Sequence, residues 1–559
     1  MKHILIFLFS IFFFTCANQG FPPGGPVDKT PPLIRSTFPA MDSTNVPLNA
    51  KIEFEFSETI DRNSVENVIF ITPYPGENVA YKWRGNRLQI KVPGGLLPDR
   101  TYVITIGAGA RDRRSNAMKE SFSLAFSTGA ELDKGGIGGN VYAEGETSVL
   151  GTQIWAYDLQ TTPEPDPVTV NPIYVTQVSE NGAYKLQYLA LSAYRLFAVL
   201  DKDLDKLYDP GYDLVGVTHQ DISLTADSST AAIVNFMIAL RDTIPPFLTA
   251  VQAPDRRHLD LRFSEPLQEQ FLADSSNYTI EGNGDSLKIL FAYRDSRNSS
   301  YVHLVTGEQE ENKNYIVEAK NFLDQHGFKS LADSNRLEFK GSARPDTVKP
   351  TLVSTKPPDS AKLVLLDTEV ELLFSEYMDK QSAEHHFALE DSSGNKVQGT
   401  FHWKNGDLLQ FQPEARLIPE MKYTISVPVD SVFDYFNNSL ADTLIKKWFV
   451  TVNPDTLSEI SGRMSDMKTG AKGLFFIRAK SLKKEHYETW AEDDGRYFFK
   501  NVLPGIYLLE LYRDEDMNKK YSLGEVSPFA PAERYYVYPD SINIRANWPN
   551  EGNDIQFPH

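Results

Sequence analysis

Apolar and polar residues alternate over short windows along most of the chain, the period-two signature of strands with one buried face. Three such windows share one ending: Phe54-Glu-Phe-Ser-Glu, Leu261-Arg-Phe-Ser-Glu and Leu372-Leu-Phe-Ser-Glu. Each follows an opening of one kind, Asp28-Lys-Thr-Pro-Pro-Leu-Ile, Asp242-Thr-Ile-Pro-Pro-Phe-Leu or Asp346-Thr-Val-Lys-Pro-Thr-Leu. Each precedes a second shared window, Leu97-Pro-Asp-Arg-Thr-Tyr, Glu311-Asn-Lys-Asn-Tyr or Ile418-Pro-Glu-Met-Lys-Tyr. A further strand closes each copy, at Phe122 to Phe126, Leu337 to Phe339 and Trp448 to Val452. About seven short strands in roughly 100 residues, punctuated by turn residues, predict a sandwich of antiparallel sheets.

A second repeat fills the gaps. Glu180-Asn-Gly-Ala-Tyr-Lys-Leu precedes Ser192-Ala-Tyr-Arg-Leu-Phe-Ala-Val, and Asp494-Gly-Arg-Tyr-Phe-Phe precedes Pro504-Gly-Ile-Tyr-Leu-Leu-Glu-Leu. In both, a Gly turn feeds a strand, a tight loop and another alternating strand.

The first repeat resembles the SbsA-type bacterial immunoglobulin-like (Ig-like) family in its Pro-Pro opening, Phe-Ser-Glu strand end and Leu-Pro-x-x-x-Tyr strand. The second resembles the carboxypeptidase regulatory-like, transthyretin-like sandwich. Both resemblances imply support or binding without catalysis. The predicted class is therefore all-β, a tandem array of five β-sandwich domains, three Ig-like and two transthyretin-like. The Ig-like domains span 30–129, 242–342 and 346–453, and the transthyretin-like domains 134–241 and 457–559. Short linkers rich in Pro, Asp and Thr act as semi-rigid spacers, so the expectation is a rod of five units in line, on the order of 150 Å long.

The N-terminus carries a different pattern. Lys2 and His3 precede an apolar run from Ile4 to Phe14, and the single cysteine of the 559 residues follows at Cys16. That run is too short to span a bilayer as a helix and fits the h-region of a secretory signal peptide. Residues 1–15 are expected to be a lipoprotein signal, Cys16 the site of lipid attachment, and 16–29 a Gly/Pro-rich stalk. The stretch from Cys16 to Pro32 resembles the start of Ig-like lipoproteins of the Bacteroidota, which implies anchoring to the lipid bilayer of the outer membrane through N-terminal acyl chains. A plain secretory peptide cut near Ala17 is the competing expectation.

Composition narrows the partners. A formal net charge of −19 gives no basic footprint for nucleic acid. With no pair of cysteines, the fold must rest on apolar cores, which 41% hydrophobic and 12% aromatic residues can supply. The histidine cluster Glu384-His385-His386 lacks the spacing of a zinc helix. Glu58, Glu265 and Glu376 end the Phe-Ser-Glu strands of separate copies and read as polar residues on edge strands. Trp83 and Trp403 share one register, as internal packing requires; an exposed aromatic row would instead make a glycan platform.

The candidate metal ligands are two acidic loops of the second repeat. Asp201, Asp203 and Asp205, with Asp209 nearby, match Asp514, Asp516 and Asn518, with Glu525 at position 12. Oxygens at positions 1, 3 and 5 suit calcium. Position 6 departs from that pattern, with Lys206 or Lys519 in place of Gly, and copy one has Tyr212 at position 12. The competing reading is a solvated acidic hairpin tip. Together these features point to a non-catalytic, lipid-anchored scaffold of the bacterial outer membrane whose partners are other envelope proteins, with a glycan-binding or adhesive surface protein as the alternative.

Overall fold

The computed structural model describes residues 28–558 except 76–78, 146, 283, 332–334, 442–444 and 482–485. Cys16 and the apolar run before it lie outside the described residues. The chain is a tandem array of β-sandwiches. Each of the five repeats has its own cluster of buried apolar residues.

The three Ig-like copies use one strand order. In the first, Ile34–Phe38, Ile52–Phe56, Arg87–Lys91 and Ala80–Arg84 form one antiparallel sheet, and Ile69–Thr72, Thr101–Ile106 and Phe122–Ser127 form the other. The same first-sheet order recurs as Leu248–Gln252, His258–Phe263, Tyr301–Thr306, Ile289–Arg294, and as Leu352–Lys356, Val370–Phe374, Leu408–Pro413, Gly399–Lys404. Phe54 faces Leu88, Leu261 faces Val302, and Leu372 faces Leu409 in equivalent registers. The inward residues of the alternating pattern, among them Phe54, Phe56, Leu261, Phe263, Leu372 and Phe374, are buried.

The tyrosine of the second shared window closes a corner in every copy. Tyr102, Tyr315 and Tyr423 accept hydrogen bonds through the hydroxyl from the backbone N–H of Leu97, Glu310 and Ile418, at 2.7, 3.1 and 2.9 Å. This arrangement resembles the tyrosine corner of Ig sandwiches. The two tryptophans also match: Trp83 stacks on Phe56 and donates to Glu66, while Trp403 stacks on Phe374 and donates to Glu384. They pack within their units and form no exposed row.

The second repeat has its own recurring bonds. Tyr184 and Tyr497 donate to Val234 and Asn553 carbonyls at 2.7 and 2.8 Å, and Tyr194 and Tyr507 donate to Ala190 and Leu503 carbonyls, both at 2.9 Å. The turn glycines Gly182 and Gly495 sit at φ +82° and +84°, where a Cβ would meet a carbonyl oxygen at 2.4 or 2.3 Å. Only glycine fits there.

The expectation of five units in line is corrected by one contact. Trp155, Tyr157, Phe197, Val199, Val215 and Val217, on the outer face of the second unit's sheet, form a sixth apolar cluster with Val526, Ala532 and Phe529 of the fifth unit. Units two and five are therefore clasped together, and the second and third Ig-like copies form a loop between them. The Gln153–Asp158 strand shows the physical reason: Gln153, Ile154, Trp155, Ala156 and Tyr157 are all buried, because one face serves the unit's own core and the other the clasp.

Candidate functional site

The two acidic loops fold alike. Positions 4 and 6, Leu204 and Lys206 in one and Met517 and Lys519 in the other, all take left-handed backbone, with φ of 66°, 66°, 60° and 63°. The lysines at position 6 thus adopt the conformation that glycine ordinarily supplies. The first carboxylate of each loop is buried and turned onto the loop's own amides. Asp201 accepts from Leu204 and Lys206 N–H at 2.7 and 3.1 Å, and Asp514 accepts from Asn518 and Lys519 N–H at 3.1 and 2.9 Å. Burial pushes the Asp201 carboxyl up to about 6.

Asp201, Asp203 and Asp205 each bring a carboxylate oxygen within 4.8 Å of the others. Asp209 turns to a neighbour, its N–H donating to Asp213 at 3.0 Å. In copy two, Asp516 accepts from the Asn518 amide and Ser522 hydroxyl at 2.8 and 2.7 Å. The Glu525 side chain is exposed. Glu533 is the carboxylate that closes this loop, accepting from Glu515 and Ser522 N–H at 2.6 and 3.0 Å.

A second set of carboxylates appears at the entry to each Ig-like copy. The opening aspartate, the Phe-Ser-Glu glutamate and a later aspartate converge, as Asp28, Glu58 and Asp112, as Asp242, Glu265 and Asp324 with His326, and as Asp346, Glu376 and Asp434. Within each group the offered ligand atoms lie within 4.8 Å of one another. The glutamates thus belong to three-acid corners and are more than strand ends. The missing partners were legible as Ala110-Arg-Asp112, Phe322-Leu-Asp324 and Val432-Phe-Asp434, an apolar residue two before an aspartate at one register in all three copies.

Crowding perturbs these acids. Burial, with Asp242 and Asp324 close by, pushes Glu265 up to about 7; burial, with Asp434 and Asp346, pushes Glu376 up to about 8. Asp346 also belongs to a group with Asp255 and His258 of the preceding copy, so the third corner reaches across the junction between copies.

Two segments, 28–128 and 346–451, match the family described as bacterial Ig-like domain. The middle copy lies outside these segments yet repeats their strand order. Solved structures similar to the chain include the N-terminal part of the bacterial S-layer protein SbsC, at 12% identity over 37% of this chain and 44% of that one, with a TM-score of 0.17. Others are an L,D-transpeptidase from Mycobacterium smegmatis (13% identity, 26% of this chain, 74% of that one, TM-score 0.16) and the major pilin subunit of Bacillus cereus (8%, 76% and 99%, 0.15). The chain spans less than half the length of the first of these. No curated protein matches it. What the comparisons show is that the chain carries bacterial Ig-like domains at 28–128 and 346–451.

Proposed function

We propose that this chain is a non-catalytic, lipid-anchored scaffold of the bacterial outer membrane, held by acyl chains on Cys16, that presents its sandwich units to other envelope proteins. The observation that carries this reading is that the units are fixed to one another by side-chain contacts. Units two and five meet through Trp155, Phe197 and Phe529, and the second and third Ig-like copies through Phe291, Tyr377 and Tyr435. An array whose units are held in place offers partners a preformed surface and loses little ordering entropy on binding. The second repeat is read as a transthyretin-like sandwich with the same supporting role. Among the described residues no helix is long and apolar enough to cross a membrane, so in this reading the acyl chains provide the hold.

The test is fractionation of cells making the wild-type and Cys16→Ala chains. The variant is expected to leave the membrane fraction after a high-salt wash and to lose the envelope proteins that co-purify with the wild type, because one acidic chain without acyl groups has little affinity for an anionic surface. Retention of Cys16→Ala in the washed membrane would sink the anchor.

A further inference from the structure

The three acid corners share a plan, and one of them is incomplete. In the first copy, Asp112 Oδ1 accepts from the N–H of Arg114 and Asn116, both at 2.8 Å, and the Asn116 side-chain amide donates to Asp112 Oδ2 at 2.7 Å. The third copy repeats this: Asp434 Oδ1 accepts from Phe436 and Asn438 N–H at 2.8 Å, and the Asn438 amide donates to Asp434 Oδ2 at 2.7 Å and to Asp346 at 3.0 Å. In the second copy, Asp324 Oδ1 keeps its two backbone bonds, from His326 and Phe328 N–H at 2.8 Å. The residue at the asparagine's position is Phe328, which has no side-chain donor. Asp324 is 0% exposed, and its Oδ2 has no hydrogen-bond partner among the described residues. An orphaned buried carboxylate oxygen is destabilising unless a donor or a positive charge is supplied to it.

We propose that Asp242, Glu265, Asp324 and His326 bind a divalent first-row transition-metal ion at the entry to the second Ig-like copy. Their ligand atoms already lie within 4.8 Å of one another, so Asp242 and Glu265 bring two further carboxylates to Asp324. The exposed His326 ring, 3.0 Å from Asp242 through Nδ1, opens the cluster to solvent on one side. Imidazole together with carboxylate oxygens suits Zn²⁺ or Mn²⁺, whereas calcium takes oxygen ligands in greater number. The first corner has its own cation, with Arg114 3.3 Å from Asp28, and both the first and third corners have the asparagine amide. The metal stands in for that amide. Because Asp242 is the first residue after unit two, the bound ion would tie the entry of the copy to its body.

The experiment is calorimetric titration of chelator-treated, detergent-purified full chain with ZnCl₂, MnCl₂ and CaCl₂, with the wild type beside three variants. The wild type is expected to bind one Zn²⁺ that Asp324→Asn and His326→Ala weaken by roughly tenfold or more. Phe328→Asn supplies the amide found in the other copies and is expected to remove the binding while leaving the melting temperature of the metal-free chain unchanged or higher. That last variant separates loss of a ligand from loss of the fold. No Zn²⁺ or Mn²⁺ bound by the wild type, or binding unchanged in His326→Ala and Phe328→Asn, would overturn the site; a preference for calcium would overturn the imidazole as a ligand.

Discussion

The clasp between units two and five and the junction between the second and third Ig-like copies are built from different materials. The clasp is mostly apolar: Phe529 meets Phe197 edge-on and lies 3.8 Å beneath the Arg195 guanidinium, and Val526 and Ala532 complete the cluster. Arg195 is itself fixed by Asp221, with two bonds at 2.9 Å, so its planar face is presented to the ring. The junction between copies is aromatic and titratable. Phe291 packs on Tyr377 and Tyr435, His258 on Phe436, and Ser296 bonds to Asp407, beside the acids Asp255, Asp346, Glu376 and Asp434. The difference follows from sequence distance. Neighbouring copies on a short linker meet at high effective concentration, so a mixed aromatic and polar contact suffices, whereas closing a long loop of chain needs buried apolar area to offset the closure entropy.

The largest effect should come from breaking the clasp. Phe529→Ala is expected to cost about 2 kcal/mol, less than a full core truncation because the ring is half-buried. Solution X-ray scattering should then show a larger radius of gyration as units two and five part, while Tyr377→Ala should leave the clasp closed. Unchanged scattering and melting for Phe529→Ala would mean that the clasp contributes no stability.

The titratable junction should lose stability as pH rises through the neutral range. Glu376 is raised from about 4.5 to about 8 in the folded chain, so the folded state holds its proton more tightly. Its stabilising contribution is therefore full below the unfolded value near 4.5 and is lost as pH rises through about 8. His258, raised by its bond to Asp255 against the opposing effect of burial, acts in the same direction. The unfolding free energy of the full chain, from denaturant titration, should fall between pH 5 and 9 by roughly 1–2 kcal/mol after allowance for solvent screening. Glu376→Gln should flatten part of that slope, with Glu265, raised to about 7, contributing in the same direction; a slope equal to the wild type's would place the titration elsewhere.

The comparison also marks what could be read in the sequence. The strands of the Ig-like copies and their inward residues followed from alternation around Phe54, Leu261 and Leu372, because each sheet has one wet face and a period-two pattern reports that directly. The clasp was missed although its signal was present. The run Gln153-Ile-Trp-Ala-Tyr does not alternate, and a strand without alternation is covered on both faces. Nothing in the pattern named Phe529 as the cover, since its segment is irregular and pairing across such a distance has no local signature. The acid corners were half visible. Glu58, Glu265 and Glu376 stand in a shared motif, whereas Asp112, Asp324 and Asp434 lie in loops where the one signal is an apolar residue two positions earlier, recurring in all three copies. The acidic loops of the second repeat were legible as loops, yet the replacement of Glu525 by Glu533 as the closing carboxylate depends on how the chain returns after Pro531.

The smallest effect tests whether the clasp is one cooperative contact. Asn235, nearly buried, accepts from the Asn140 N–H and donates across the clasp to the Tyr535 carbonyl, both at 3.0 Å. Replacing Asn235 with Ala removes one cross-unit hydrogen bond and leaves a backbone N–H short of its acceptor, at a cost of about 1 kcal/mol. If Phe529 and Asn235 act only when units two and five are closed, opening the clasp with Phe529→Ala has already broken the Asn235 bond. The double variant should then be less destabilised than the sum of the two singles, with a coupling of roughly 0.5–1 kcal/mol. Additive losses would show that the Asn235 bond survives the loss of Phe529, and that two independent patches, one apolar and one polar, hold the units together.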